Sequence, residues 1–330
     1  MIRLRRGASL PTGNRPEPVV GSDRSTKLTG VRRPLQITIL VLLSWCAEPS
    51  RAAAQACQAN GVALQVLGSN GPRIRGNLAS TSYLIWIDGR SRILVDAGGG
   101  AFLRFAEAGG HFEDLALIAI SHLHPDHVSD LPALLWGDFV RKTTLPIAGP
   151  SGNADVPEFR TFLHQLFDQQ TGAFRMLGST LGGVGRVAPL DIIVVDAASA
   201  KPATVLSRDG LVVTAFGVPH GNFPALAYRV RVGDRAIVFG TDQTGTDPRF
   251  VEFASGADLL VLHLTVGVGV KSPLHAAPDV VGQVARDAKP ARLILSHLDP
   301  GNLDAAVAEV KKYYTGPMTV AADLQCTPLP

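Results

Sequence analysis

Within six positions the chain carries His122, His124, Asp126 and His127. This His-x-His-x-Asp-His spacing offers three imidazoles and a carboxylate, the donor types that hold a water-activating divalent cation. The competing reading is a His-rich surface turn. The residues just before the cluster argue against a turn, because 115–120 is an unbroken apolar run that reads as a buried strand. The donors then leave the carboxyl end of a strand, where α/β folds build their sites.

Further donors follow other strand-like runs. His220 comes after 211–218, Asp242 after 236–241, His263 after 259–262 and His297 after 293–296. Six of the nine histidines lie in or beside these segments, a grouping that scattered surface residues would not give. Single residues also have plainer readings. Asp242 sits in a Gly-Thr-Asp-Gln-Thr-Gly stretch that could be only a turn. His263 reads equally as a hydrogen-bonded core histidine and as a functional group. His275 stands just before a helix expected over 276–288. Asp96 is expected beside the ligands or in a turn, and Asp130 is expected to cap the helix that starts at Leu131. His111 and His164 have no partner pattern and read as surface residues.

The elements that must position these groups follow from periodicity. Strand-like runs cover 63–67, 81–87, 92–96, 115–121, 145–148, 191–195, 211–218, 225–232, 235–240, 259–262 and 292–296. Helix-like runs cover 100–109, 131–141, 157–170, 248–252, 278–288 and 303–314. Strands with helices between them give sheets faced by helices, the α/β class.

On these residues the chain resembles the metallo-β-lactamase superfamily of metal-dependent hydrolases, from 67–71 and 94–98 through to 295–298. The ligand pattern is most similar to the ribonuclease Z-like branch, which includes phosphodiesterases and some arylsulfatases. The likeness rests on His220 followed by Ala-Leu-Ala-Tyr-Arg at 225–229. The resemblance implies an αββα sandwich of two mixed β-sheets faced by helices, with the site on a shared edge. It also implies two zinc ions per chain. One would be held by His122, His124 and His220, the other by Asp126, His127 and His297, with Asp242 bridging. Manganese or iron would also suit these donors. Asp126 would orient a metal-bridging hydroxide, and His275 would give a proton or a hydrogen bond to the reacting group. The implied activity is hydrolysis of phosphodiesters or aryl sulfates. A lactonase or β-lactamase on the same fold is the alternative, and a non-catalytic metal-binding protein is a further one. Two positions depart from the branch. Leu264 stands where a Glu is usual, and Ala276 and Ala277 replace the Ser-Thr that often follows the residue matched by His275. Both lie outside the ligand set and weigh against a nucleic-acid substrate.

Composition points the same way. The 330 residues are 46% hydrophobic and carry a net charge of only +3, with no basic run after residue 33. This is not an electrostatic footprint for nucleic acid. The branch holds tRNA on a basic arm. The matching insertion here is 151–202, and between 151 and 200 its arginines and lysines are only Arg160, Arg175 and Arg186. A lid over a small-molecule ester is expected instead. A homodimer is a further expectation from the resemblance.

Residues 1–56 are expected to be an address. Arg32 and Arg33 precede an apolar stretch of about eleven residues at 35–45, too short to span a bilayer and suited to a signal peptide. Small residues at 52–56 offer a cleavage site, and translation is expected to start near Val31. No stable membrane span would remain after cleavage, and residues 57–330 would form one exported, periplasmic or secreted, domain. Cleavage removes Cys46 and leaves Cys57 and Cys326. In an oxidising compartment a Cys57–Cys326 disulfide is expected, with lipid attachment at Cys57 or two free thiols as alternatives.

Overall fold

The computed structural model describes Cys57 and residues 60–137, 143–182, 185–299 and 301–329. The expected leader, 1–56, lies outside the described residues, as does the end of the helix expected over 131–141.

Two seven-stranded sheets make up the described fold. The first contains β1 (Val62–Gly68), β2 (Ser82–Ile87), β3 (Arg90–Val95), β4 (Leu117–Ala119), β5 (Leu145–Pro150), β6 (Leu190–Val195) and the C-terminal β14 (Cys326–Pro328), in the order β14-β1-β2-β3-β4-β5-β6. The second contains β7 (Ala203–Arg208), β8 (Leu211–Val218), β9 (Ala225–Val232), β10 (Arg235–Phe239), β11 (Leu259–His263), β12 (Arg292–Ser296) and β13 (Met318–Val320), in reverse order from β13 to β7. Each sheet is mixed. β3 to β6 run parallel, as do β10 to β13, and the remaining pairs are antiparallel.

Period-two alternation sorts each strand between two cores. On β2, Tyr83 and Ile85 face the second sheet, and together with Leu226, Tyr228, Val261 and Ile294 they form the layer between the sheets. Leu84 and Trp86 point outward and pack with helices α1 (Ala101–Glu107), α3 (Leu131–Gly137) and α4 (Phe159–Phe167) through Phe105, Leu134 and Phe167. On the far side, Val238, Leu260 and Leu293 pack under α5 (Pro248–Ala254), α6 (Pro278–Ala288) and α7 (Leu303–Lys311). Every central strand is therefore apolar on both faces, which is why its sequence is a continuous hydrophobic run. The architecture is the αββα metallo-β-lactamase fold.

Three strands were not expected: β7, β13 and β14. Each lies at a sheet edge. An edge strand has one partner and one unpaired flank, so little hydrophobic patterning marks it. β4 is shorter than the apolar run around it, because the chain at 120–124 leaves the ladder to present the ligands. The Cys57–Cys326 disulfide is formed, with Cα atoms 5.6 Å apart at a sequence separation of 269. β14 also pairs with β1. Closing so long a loop removes much of the entropy of the unfolded chain, roughly 5 kcal/mol in the chain-entropy treatment.

Candidate metal centre

The segments leaving the carboxyl ends of β4, β8, β10 and β12 carry His122, His220, Asp242 and His297. Three residues just past strand ends have left-handed backbone: Asp96 (φ 58°), Thr241 (φ 54°) and His297 (φ 52°). Such conformations cost a non-glycine residue about 1 kcal/mol or more and persist only where the surroundings enforce them. After His124, the single-turn helix α2 (Pro125–Val128) starts with proline at its first position. It carries Asp126 and His127. Gly98 lets the chain after β3 lie against this turn, since a Cβ there would sit 2.1 Å from the carbonyl oxygen of Asp126.

The sheets are tied at this edge. The Tyr228 hydroxyl donates to the carbonyl of Ile120 at 2.8 Å, and the amide of Leu226 donates to that of Ser121 at 3.0 Å. Both come from the Ala-Leu-Ala-Tyr-Arg strand, so that motif holds the backbone beneath His122.

Each imidazole is oriented through one nitrogen. His127 Nδ1 donates to Asp96 Oδ2 at 2.7 Å, and His220 Nδ1 to the Leu274 carbonyl at 2.7 Å. The Ser121 hydroxyl donates to Asp96 and so accepts from His122 Nδ1 at 3.0 Å. The Thr265 hydroxyl donates to the His297 carbonyl and accepts from His297 Nδ1 at 2.8 Å. These bonds fix the ring orientations and turn the four Nε2 atoms inward, that of His297 to 3.1 Å from Asp126 Oδ2. His124 is turned the other way. Its Nδ1 lies 2.9 Å from His122 Nε2 and 3.3 Å from His220 Nε2.

Two groups of donors result. His122, His124, His220 and Asp242 converge within 4.8 Å of one another, as do Asp126, His127 and His297. Asp242 joins the groups. Its Oδ2 lies 3.6 Å from His122 Nε2, 3.5 Å from His127 Nε2 and 3.7 Å from His220 Nε2, while its Oδ1 lies 3.5 Å from His297 Nε2. Lone pairs crowded this closely repel unless a cation lies among them. His127 Nε2 is buried and has no hydrogen-bond partner, the mark of a nitrogen shaped for a metal. The donor set, nitrogen and carboxylate oxygen only, suits zinc.

The electrostatics favour the binding-competent protonation states. Burial lowers His122 and His220 and takes His124 to about 4. Burial alone would raise Asp126, but the hydrogen bond from His297 and the nearby His127 bring it to about 2. Asp242 is likewise held well below the carboxylate range by His297 and His127, against its burial. His127 differs. Burial would lower it, but Asp96 and Asp242 raise it well above its ordinary value. That demand for positive charge between two carboxylates is one a cation at Nε2 also meets.

The structure brings all seven expected ligands together, with His275 beside them. His275 Nδ1 lies 3.6 Å from Asp242 Oδ1, is buried without a hydrogen-bond partner, and burial takes the ring to about 4. His263 also joins Asp242 and His297 in a close group. Both its nitrogens are engaged, however, with Nδ1 2.6 Å from Asp242 Oδ1 and Nε2 3.1 Å from the Tyr83 hydroxyl. Asp130 does not cap α3. Its carboxylate accepts from the amides of Gly100 and Phe102, at the start of α1. Sequence reasoning missed Asp323, whose carboxylate gathers the amides of Ser69 and Ala79 and the Arg104 guanidinium beneath the 68–80 loop. Nothing local marks such a partner more than 200 residues away.

A sequence profile described as "Beta-lactamase superfamily domain" matches residues 91–298. A protein named ribonuclease Z from Mycobacterium bovis (strain BCG / Pasteur 1173P2) is 24% identical over 284 residues, covering 79% of this chain and 96% of that protein. The metallo-β-lactamase fold protein YhfI from Bacillus subtilis superposes with a TM-score of 0.64 at 22% identity, over 81% of this chain and 98% of its own. The short form of human tRNase Z gives a TM-score of 0.63 at 19% identity, over 81% and 99%.

Proposed function

The chain belongs to the β-lactamase superfamily, and on that premise we propose that it is an exported dinuclear zinc hydrolase of the ribonuclease Z-like type that cleaves small phosphodiesters. One observation carries this reading: two groups of inward-facing donors share Asp242. His122, His124 and His220 would hold one ion, Asp126, His127 and His297 the other. When bound, the ions supply Lewis acidity and a water of lowered pKa. The protein's own part is orientation and exclusion of water. Asp126, about a tenth exposed and ionised down to about pH 2, can accept a hydrogen bond from the attacking water and aim it. His275 stands at the edge of the donor set. With its ring neutral at pH 7, it is suited to donate a hydrogen bond to substrate oxygen rather than to deliver a proton.

A small substrate is favoured over tRNA. Two of the three arginines in the 151–200 insertion are tied to backbone carbonyls, Arg160 to Ile192 and Arg175 to Gln170. Next to the ligand helix, the same insertion closes a cavity of about 340 Å³ walled by Pro132, Ala133, Trp136, Phe174 and Met176, with Ser129 at its ligand-helix end. Its apolar lining suits an aryl leaving group. It is also the observation that keeps an aryl sulfate as a second reading. The Cys57–Cys326 bridge supports an oxidising compartment.

The test is hydrolysis by zinc-loaded protein of bis(p-nitrophenyl) phosphate beside p-nitrophenyl sulfate, a lactone and a chromogenic β-lactam, with and without chelator. Chelator-sensitive turnover strongest on the diester is expected. Turnover confined to the lactone or β-lactam would overturn the substrate class, and zinc binding without turnover would overturn the enzyme.

A further inference from the structure

The ligand set leaves one buried histidine without a task. His263 closes β11, is 7% exposed and stacks its ring on that of His297 with centroids 4.5 Å apart. Its Nδ1 meets Asp242 Oδ1 at 2.6 Å, the shortest contact that carboxylate makes with any histidine of the centre. On its other side, Nε2 meets the hydroxyl of Tyr83, which is fully buried on β2 of the opposite sheet. We propose that Tyr83 and His263 form a positioning relay that fixes the carboxylate of Asp242 for metal binding. The proposal rests on Asp242 as the shared ligand and not on which bond is cleaved.

The directions of the two hydrogen bonds follow from what each group can do. An ionised carboxylate only accepts, so His263 Nδ1 carries the hydrogen. Nε2 is then a lone pair and accepts from the tyrosine hydroxyl. Asp242 thereby selects the tautomer, because the other one would place two lone pairs between His263 and Asp242, and Tyr83 reinforces it by donating to Nε2. Burial supports this order. It raises the Tyr83 hydroxyl far above its ordinary range, so the hydroxyl keeps its hydrogen.

The consequence falls on the geometry of Asp242. With Oδ1 tied to His263, the carboxylate cannot rotate, and Oδ2 is left facing His122, His127 and His220 at 3.5–3.7 Å. Such restraint is needed here because Thr241, the residue before, has left-handed backbone and no ladder holds Asp242 in place. The ring of Tyr83 is itself fixed, 5.2 Å from that of Phe239, the last residue of β10. The relay thus runs from one sheet, through the other, to the ligand both donor groups share.

The test is zinc affinity, measured by competition with a chromogenic chelator on full-length protein. His263→Ala is expected to weaken binding about 10–100-fold, the usual effect of removing a partner of a metal ligand. His263→Gln should behave alike, since its amide reaches the Nε2 position and cannot serve Asp242. His263→Asn places an amide N–H where Nδ1 stood and should restore most of the affinity. Tyr83→Phe keeps the ring and should weaken binding about 10-fold, at the low end of the same range. In the His263→Asn background, Tyr83→Phe should add nothing, because there is no tautomer left to select. Equal losses in the Asn and Gln variants, or wild-type affinity in His263→Ala and Tyr83→Phe, would overturn the relay and leave an ordinary core pair. If His263→Ala does not fold, by circular dichroism, the Asn–Gln contrast and Tyr83→Phe still decide. Affinities are read without substrate, so a protein that bound zinc as described but hydrolysed nothing would sink the hydrolase reading alone.

Discussion

The two sides of the metal centre are built by different means. On one side, His122, His124, Asp126 and His127 come from six consecutive positions, and a strand end with one helical turn places them all. On the other side, His220, Asp242 and His297 arrive from three strand ends more than 20 residues apart, and only the order of the second sheet brings them together. Local chain geometry secures the first side. Long-range pairing, helped by left-handed Thr241 and His297, secures the second. The first should therefore fail by backbone displacement and the second by loss of single side chains.

The largest effect is expected where the two sides meet. Asp242→Ala removes the carboxylate common to both donor groups and leaves five imidazole nitrogens facing one another. Turnover should fall about 10³-fold, matching the several kcal/mol a metal site supplies, and bound zinc should fall from two ions toward none by elemental analysis. Retention of two ions with near-normal turnover would show that the sides are independent.

Gly98→Ala probes the contiguous side. Its Cβ would stand 2.1 Å from the Asp126 carbonyl, a backbone atom that cannot yield without moving the ligand helix. A loss of about 2–3 kcal/mol in urea unfolding is expected, with zinc lost from the Asp126 group. Gly71→Ala is the matching probe of the dispersed side. Its Cβ would stand 2.9 Å from the His297 ring, a side chain rather than backbone, which yields only by straining its Nδ1 contact with Thr265. The expected cost is about 1 kcal/mol with a modest fall in zinc affinity. If Gly71→Ala proves the worse of the two, the proposed division between backbone and side-chain control is wrong.

The smallest effect concerns a support common to neither side. Asp130→Ala strips the acceptor from the Gly100 and Phe102 amides and should cost about 1 kcal/mol of stability while leaving bound zinc at its normal level. Loss of metal in this variant would make Asp130 part of the site.

The same contrast explains what could be read before the structure. The cluster at 122–127 is legible because its spacing and the apolar run before it are both local. His220, Asp242 and His297 were legible only as donors after strand-like runs, and pairing them required a fold. The sandwich followed from the alternation of strands and helices and from the resemblance, whereas edge strands β7, β13 and β14 carried too little pattern to find. Partnerships across sheets left no sequence signal. Tyr83 and His263 are 180 residues apart, and Asp323 serves Ser69 from 254 residues away. Asp130 shows a subtler failure. A carboxylate just before a helix is a good cap by position, but its side chain reached the start of a different helix.

The bridge between Cys57 and Cys326 turns nearly the whole described chain into a covalent ring, with both ends at the same edge of the first sheet. In such a ring, one cut in a surface loop releases nothing. The two pieces stay tethered, and the metal centre, which draws ligands from both, keeps its parts within reach. Separating those parts would then take a second cut, or a reductant that opened the ring.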